Sequence, residues 1–176
     1  MSNGLEACRG SELPKAVIEV SLHCDAWRGA LPAAPALAEA AARAGLANAG
    51  PTAAAPLFVG VILTDDAEQR RLNRTWRGKD AATNVLSFAI GDPAAATPVG
   101  APLLLGDVVL ACEPVAREAM EQKKPLADHL QHLVVHGVLH LLGFDHENDT
   151  EARIMEAREV AILASLGVPD PYRDII

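Results

Sequence analysis

The sequence predicts a single α+β domain: a mixed four-stranded sheet packed with about five helices, carrying a metal site on a helix–turn segment. Three observations predict it. Strand-like and helix-like segments alternate through the first half of the chain, and helices dominate the second. Half of the 176 residues are apolar, which supports one sizeable core. No internal repeat divides the chain. Only 3% of residues are aromatic and many of the apolar residues are alanine, so the core is expected to be aliphatic and closely packed. Residues 1–14 read as a flexible leader and 15–176 as a single domain.

Residues 16–22 read as a short strand. Residues 33–49 place Leu37, Ala41, Ala44 and Ala47 near helical spacing, with Gly50-Pro51 as the stop; an alanine–proline linker is the alternative. Residues 57–64 form a continuous apolar run, as in a buried central strand. Asp65 or Asp66 then caps a helix through about Trp76. Residues 84–90 read as a third strand and Gly91 to Pro102 as a loop. Residues 103–112 form a fourth strand with a bulge expected at Gly106. Glu113-Pro114 opens a helix, since proline suits a first turn. Pro125 opens another, ending at Gly143, and a last helix runs over about 149–166 to Gly167.

The net charge of −8 excludes a uniformly basic RNA-coating protein and a polybasic membrane anchor. Cys8, Cys24 and Cys112 form no CxxC pair, and their odd count argues against a disulfide framework. No apolar run is long enough to cross a bilayer. A soluble, cytoplasmic protein is the expectation.

Five of the six histidines fall within residues 129–146. His129, His132, His136 and His140 are spaced by three, four and four, which at about 100° per residue puts them in one arc of roughly 80°. Histidines at i and i+4 can place two imidazoles on one metal ion. Gly143 ends the helix and reverses the chain, returning His146 toward His136 and His140. Three neutral imidazoles leave a fourth position open, the ligand number of catalytic zinc. Nickel, copper and iron also accept this donor set. His129 and His132 read either as residues lining or supporting the cleft or as surface histidines. Asp145 either orients a ligand imidazole or caps the turn. A zinc peptidase helix reads H-E-x-x-H, whereas Gly137 follows His136 here.

A second constellation runs from Arg70 to Asp80, with five positive charges and one negative, leaving −12 on the other residues. Arginine suits bidentate phosphate recognition, although Arg70, Arg71 and Arg74 individually read as a solvated helix face. Arg77 stands out because it borders Gly78, where the helix ends. Trp76 is expected to anchor the core, with base stacking as the alternative.

Several motifs together resemble the YbeY family of bacterial endoribonucleases and rRNA maturation factors. They are Leu72-Asn73, Trp76-Arg77-Gly78-Lys79-Asp80, Thr83-Asn84-Val85-Leu86-Ser87-Phe88, Leu105-Gly106-Asp107 and the segment from His136 to His146. The resemblance covers about residues 56 to 173, including Pro171-Tyr172, and leaves the leader, the alanine-rich helix and the Gly91–Pro102 loop undiagnostic. It implies a mixed four-stranded sheet flanked by helices, with one zinc ion on His136, His140 and His146. It also implies that the arginine at position 77 engages RNA.

The implied activity is a zinc-dependent, single-strand-specific endoribonuclease. It acts in rRNA maturation, notably at the 16S 3′ end, and in ribosome quality control. The implied partners are single-stranded RNA or rRNA, the small ribosomal subunit and assembly proteins. Neither DNA nor a membrane is expected. The catalytic assignments are Arg77, on the phosphate, and His136, through the metal. Ser87, Phe88 and Asp107 are read as shaping the cleft, with no chemistry assigned. The alternatives are a metallopeptidase-like zinc hydrolase and a non-catalytic assembly factor stabilised by zinc.

Overall fold

The computed structural model describes residues 16–49, 56–78, 83–90, 98 and 101–173. The expected leader, the Gly50-Pro51 stop, Lys79-Asp80 and most of the Gly91–Pro102 loop lie outside the described residues. The elements run β1 (Ala16–Leu22), α1 (Ala26–Ala30), α2 (Ala34–Ala49), β2 (Leu57–Thr64), α3 (Asp66–Arg77), β3 (Val85–Ala89), β4 (Leu103–Ala111), α4 (Cys112–Glu121), α5 (Leu126–Leu141) and α6 (Asp149–Ser165). The four strands and five of these helices match the sequence reading. The sixth, α1, is a single short turn without an apolar period, too brief to register as a pattern.

The sheet order is β1-β2-β4-β3. β1, β2 and β4 pair in parallel, and β3 runs antiparallel to β4 at the edge. β2 is buried along most of its length, as its unbroken apolar run requires. The register shifts between Phe58 and Val59 because β4 carries an extra residue. Gly106 lies at φ +137°, and a Cβ there would fall 2.0 Å from the Phe88 carbonyl oxygen. The bulge expected at Gly106 is therefore present, and only glycine fits it.

α2 and α5 cover one face of the sheet. The alanines of α2 make this close: Ala38, Ala41 and Ala42 are fully buried, and a Cβ on Gly45 would already press Val138 Cγ1 at 3.1 Å. The alanine-rich segment is thus a packing helix and not a linker. On the next helix, Asp65 is the N-cap of α3, its Oδ1 accepting the Glu68 N–H at 2.8 Å. Such a cap contributes about 1 kcal/mol.

One expectation fails. Trp76 is 70% exposed and is no core anchor. Trp27 holds that place: it is fully buried and donates its indole N–H to the Thr64 carbonyl at 3.0 Å. A helical spacing locates Trp76 on the α3 face that turns toward the sheet edge, beyond the cover of α3 itself.

Candidate metal centre

α5 lies directly on β3 and β4 because Gly137 has no side chain. A Cβ there would meet Val108 Cγ1 at 2.5 Å and Ser87 Oγ at 3.1 Å. Ser87 Oγ donates to the Gly137 carbonyl at 3.2 Å, pinning the helix to the edge strand. The residue that replaces a peptidase glutamate is therefore a contact point between helix and sheet, with no room for a carboxylate.

With α5 seated in this way, His136 and His140 project past the β3 edge. The helix ends at Leu141, and Gly143 takes φ +88° to turn the chain back. Asp145 Oδ1 accepts the His146 backbone N–H at 2.8 Å, so it caps the turn and does not orient an imidazole. His146 stacks beside His136, with ring centroids 5.6 Å apart and planes at 30°. One ring nitrogen from each of His136, His140 and His146 lies within 4.8 Å of the others. The three line a recess of about 400 Å³ together with Asn84 and Ser87.

The protonation pattern follows from the buried groups behind the ring of His136. Glu159 of α6 is fully buried. Its Oε1 lies 2.7 Å from His136 Nδ1, and its Oε2 lies 3.0 Å from His132 Nε2 and also accepts the Tyr172 hydroxyl. Burial alone would raise this carboxyl, but the hydrogen bonds from His132, His136 and Tyr172 outweigh it and hold the group at about 2. Burial and the adjacent carboxylate push the Tyr172 phenol upward, so it remains a donor. An ionised carboxylate only accepts. His136 therefore carries its proton on Nδ1 and presents a lone pair at Nε2.

His140 is held neutral: burial, then the neighbouring His136 and His146, push it below its ordinary value. His140 Nε2 and His136 Nε2 face each other at 3.1 Å. Ligand nitrogens around a tetrahedral zinc stand about 3.3 Å apart. Two facing imidazole nitrogens, with that of exposed His146 on the following turn within 4.8 Å, fit a cation of this class. Among the described residues no further histidine, cysteine or carboxylate joins the three.

Both open histidines are now placed, neither of them on the surface. His132 bonds the far oxygen of Glu159 and so holds the carboxylate that holds His136. His129 is 3% exposed and donates to Glu118 Oε2 at 3.0 Å. The same oxygen takes the Asn84 amide at 2.8 Å, tying α5 and α4 to the wall of the recess. Burial pushes His129 below its ordinary value. Ser87 lines the recess as expected. Phe88 and Asp107 do not: alternation along β3 and β4 turns them to the opposite face of the sheet, paired across the strands. Arg77 ends α3 before Gly78, which takes φ 65°; its side chain lies outside the described residues.

Glu159 is the residue of the site that spacing alone did not expose. A signal was present. Met155, Glu159, Ile162 and Leu163 fall on one helical stripe, so a carboxylate interrupts an apolar face. A buried acid at such a position needs partners, and the histidines supply them.

The fold and the recess define a class: an α+β protein with a three-imidazole, metal-type centre at the free edge of its sheet. The family model described as endoribonuclease YbeY matches residues 35–167, and the chain belongs to that family. The match begins inside α2, so the alanine-rich helix is part of the family's domain. The chain is 53% identical over 161 residues to the endoribonuclease YbeY of Paramagnetospirillum magneticum, covering 88% of this chain and 94% of that one. It is 54% identical over 156 residues to that of Azorhizobium caulinodans, covering 88% and 95%. Among solved structures, the solution structure of TM1509 from Thermotoga maritima shares the fold. It aligns at a TM-score of 0.55 and 23% identity, over 90% of this chain and all of that one.

Proposed function

We propose that the protein is a metal-dependent endoribonuclease that cuts single-stranded RNA. Its role is in rRNA maturation, notably at the 16S 3′ end, and in ribosome quality control. The observation that carries the reading is the pair of facing imidazole nitrogens on His136 and His140, 3.1 Å apart and backed by buried Glu159, in a chain of the YbeY family.

His136, His140 and His146 would hold the ion, and zinc suits the donors best. When bound, such an ion supplies Lewis acidity and brings the pKa of water to about 7. The chain's own groups prepare the site. Glu159 keeps the His136 proton on Nδ1, and His132 and Tyr172 keep Glu159 in place. Ser87 and Gly137 fix the distance between α5 and the edge strand. Arg77 is assigned to the phosphate, where a guanidinium stabilises the charge that develops on the non-bridging oxygens.

The peptidase reading is disfavoured because the position after His136 has no space for a carboxylate. The purely structural reading is disfavoured because the three histidines stand at an open recess with no fourth protein ligand among the described residues. Ribosomal partners on the small subunit, and a cytoplasmic setting, follow from the rRNA assignment. No helix among the described residues is long and apolar enough to cross a membrane.

The test uses tag-free protein freed of contaminating nuclease. Zinc-loaded protein is expected to cleave single-stranded RNA and spare a duplex. Arg77→Ala is expected to lower the rate by about 10²-fold, as for loss of one transition-state donor. Intact RNA in the presence of stoichiometric zinc, with no effect of Arg77→Ala, would refute the proposal.

A further inference from the structure

Trp76 is neither a core residue nor an isolated surface aromatic. Its ring meets Phe88 edge-on, with centroids 6.4 Å apart and planes at 61°. The two aromatics line a recess of about 440 Å³ on the sheet face opposite the histidines, with Asp107 beside them. Phe88, Asp107 and Gly60 pair in one row across β3, β4 and β2. A Cβ on Gly60 would lie 2.1 Å from Asp107 Oδ1, so the missing side chain is what lets the carboxylate rest over the central strand. Ser87 and Ala89 line both this recess and the histidine recess. The two sites are therefore separated by the edge strand alone.

We propose that this recess is a nucleobase subsite, in which an unpaired base of the RNA stacks on Trp76 against Phe88 and offers its N–H groups to Asp107. The inference rests on the single-stranded RNA reading above. An acidic floor repels a phosphate and accepts amine hydrogens, so the base, and not the backbone, is the part of the nucleotide that seats there. Adenine, cytosine and guanine carry an exocyclic amine and uracil does not, so bases with an amine are preferred. A strand crossing the free edge of β3 places its phosphate on the histidine side and an adjacent base on the tryptophan side. A duplex cannot enter, because its bases are stacked inside the helix.

The test titrates short homopolymeric RNAs against the protein and reads the fluorescence of exposed Trp76, with buried Trp27 as the constant background. Quenching is expected with oligo(A) and oligo(C) at lower concentration than with oligo(U). Trp76→Ala is expected to weaken binding about tenfold, the size of one base–aromatic stack. Trp76→Phe should restore most of that loss, and Asp107→Asn should flatten the preference for amine-bearing bases. In cleavage, Trp76→Ala is expected to raise KM and leave kcat within a factor of about two. Cleavage of the same RNA by zinc-loaded wild-type protein is measured in parallel. If the RNA is cleaved while Trp76→Ala binds as well as wild type, the base subsite is overturned and the endoribonuclease reading stands. If Trp76 is quenched but no RNA is cleaved, the endoribonuclease reading falls and the subsite stands.

Discussion

Glu159 carries an ionised group into a position with no solvent exposure, and it does so with three donors aimed at two oxygens. Removing the charge while keeping the shape isolates its effect on His136. Glu159→Gln retains an acceptor at Oε1 but presents N–H groups where His132 or Tyr172 now donates. Zinc affinity, measured by competition with a chromophoric chelator, is expected to fall about 10- to 100-fold. An unchanged affinity would mean that His136 needs no orienting partner.

A separate residue sets a pH dependence. Burial lowers His129 below its ordinary value of 6.5. Below that pH the unfolded chain binds a proton that the folded chain refuses, so stability is lost as pH falls through and under this range. His129→Gln keeps a donor for Glu118 and removes the titration. Urea unfolding at a series of pH values is expected to show a shallower acid-side decline for the variant, and identical slopes would contradict it.

At the scale of elements, the contact between α5 and the sheet edge decides where the histidines stand. Gly137→Ala would force the helix away from Val108 and Ser87, at a cost of about 1–3 kcal/mol in the unfolding free energy from urea denaturation. Val108→Ala in the same chain should recover part of that loss, because it removes the methyl groups that collide. No recovery would mean that the loss does not arise at Val108, since helix propensity alone would favour alanine.

Much at this scale is legible in sequence because it is local. The apolar run of β2, the Asp65 cap, the bulge glycine and the i, i+4 histidine pair each depend on residues a few positions apart. The meeting of His146 with that pair is legible too, since Gly143 turns the chain back. The rest depends on contacts distant in sequence. Glu159 interrupts the apolar stripe of α6, but its partners are set only when α6 is laid against α5. That Trp27 is buried and Trp76 exposed turns on tertiary packing, and neither local pattern contains that information. Phe88 and Asp107 fall on the far face because strand alternation, combined with the Gly106 bulge, sets their direction.

For the whole molecule, the charge of −8 and the local basic segment act together. Most of the surface repels a polyanion. Under the proposed function, binding would be confined to the sheet edge, where the histidine recess and the aromatic recess share Ser87 and Ala89. This suits an enzyme that cuts at a restricted site and does not coat its substrate. The ion would add two positive charges to a cleft of neutral imidazoles, which sharpens the same contrast.

The most direct measurement is the rate of single-stranded RNA cleavage as zinc is returned to metal-free, tag-free protein. The predicted result is a rate near zero without metal, a rise that reaches its plateau at about one equivalent, and a flat response from His140→Ala. Undiminished cleavage by the metal-free protein, or wild-type cleavage by His140→Ala, would contradict a metal-dependent centre on these histidines.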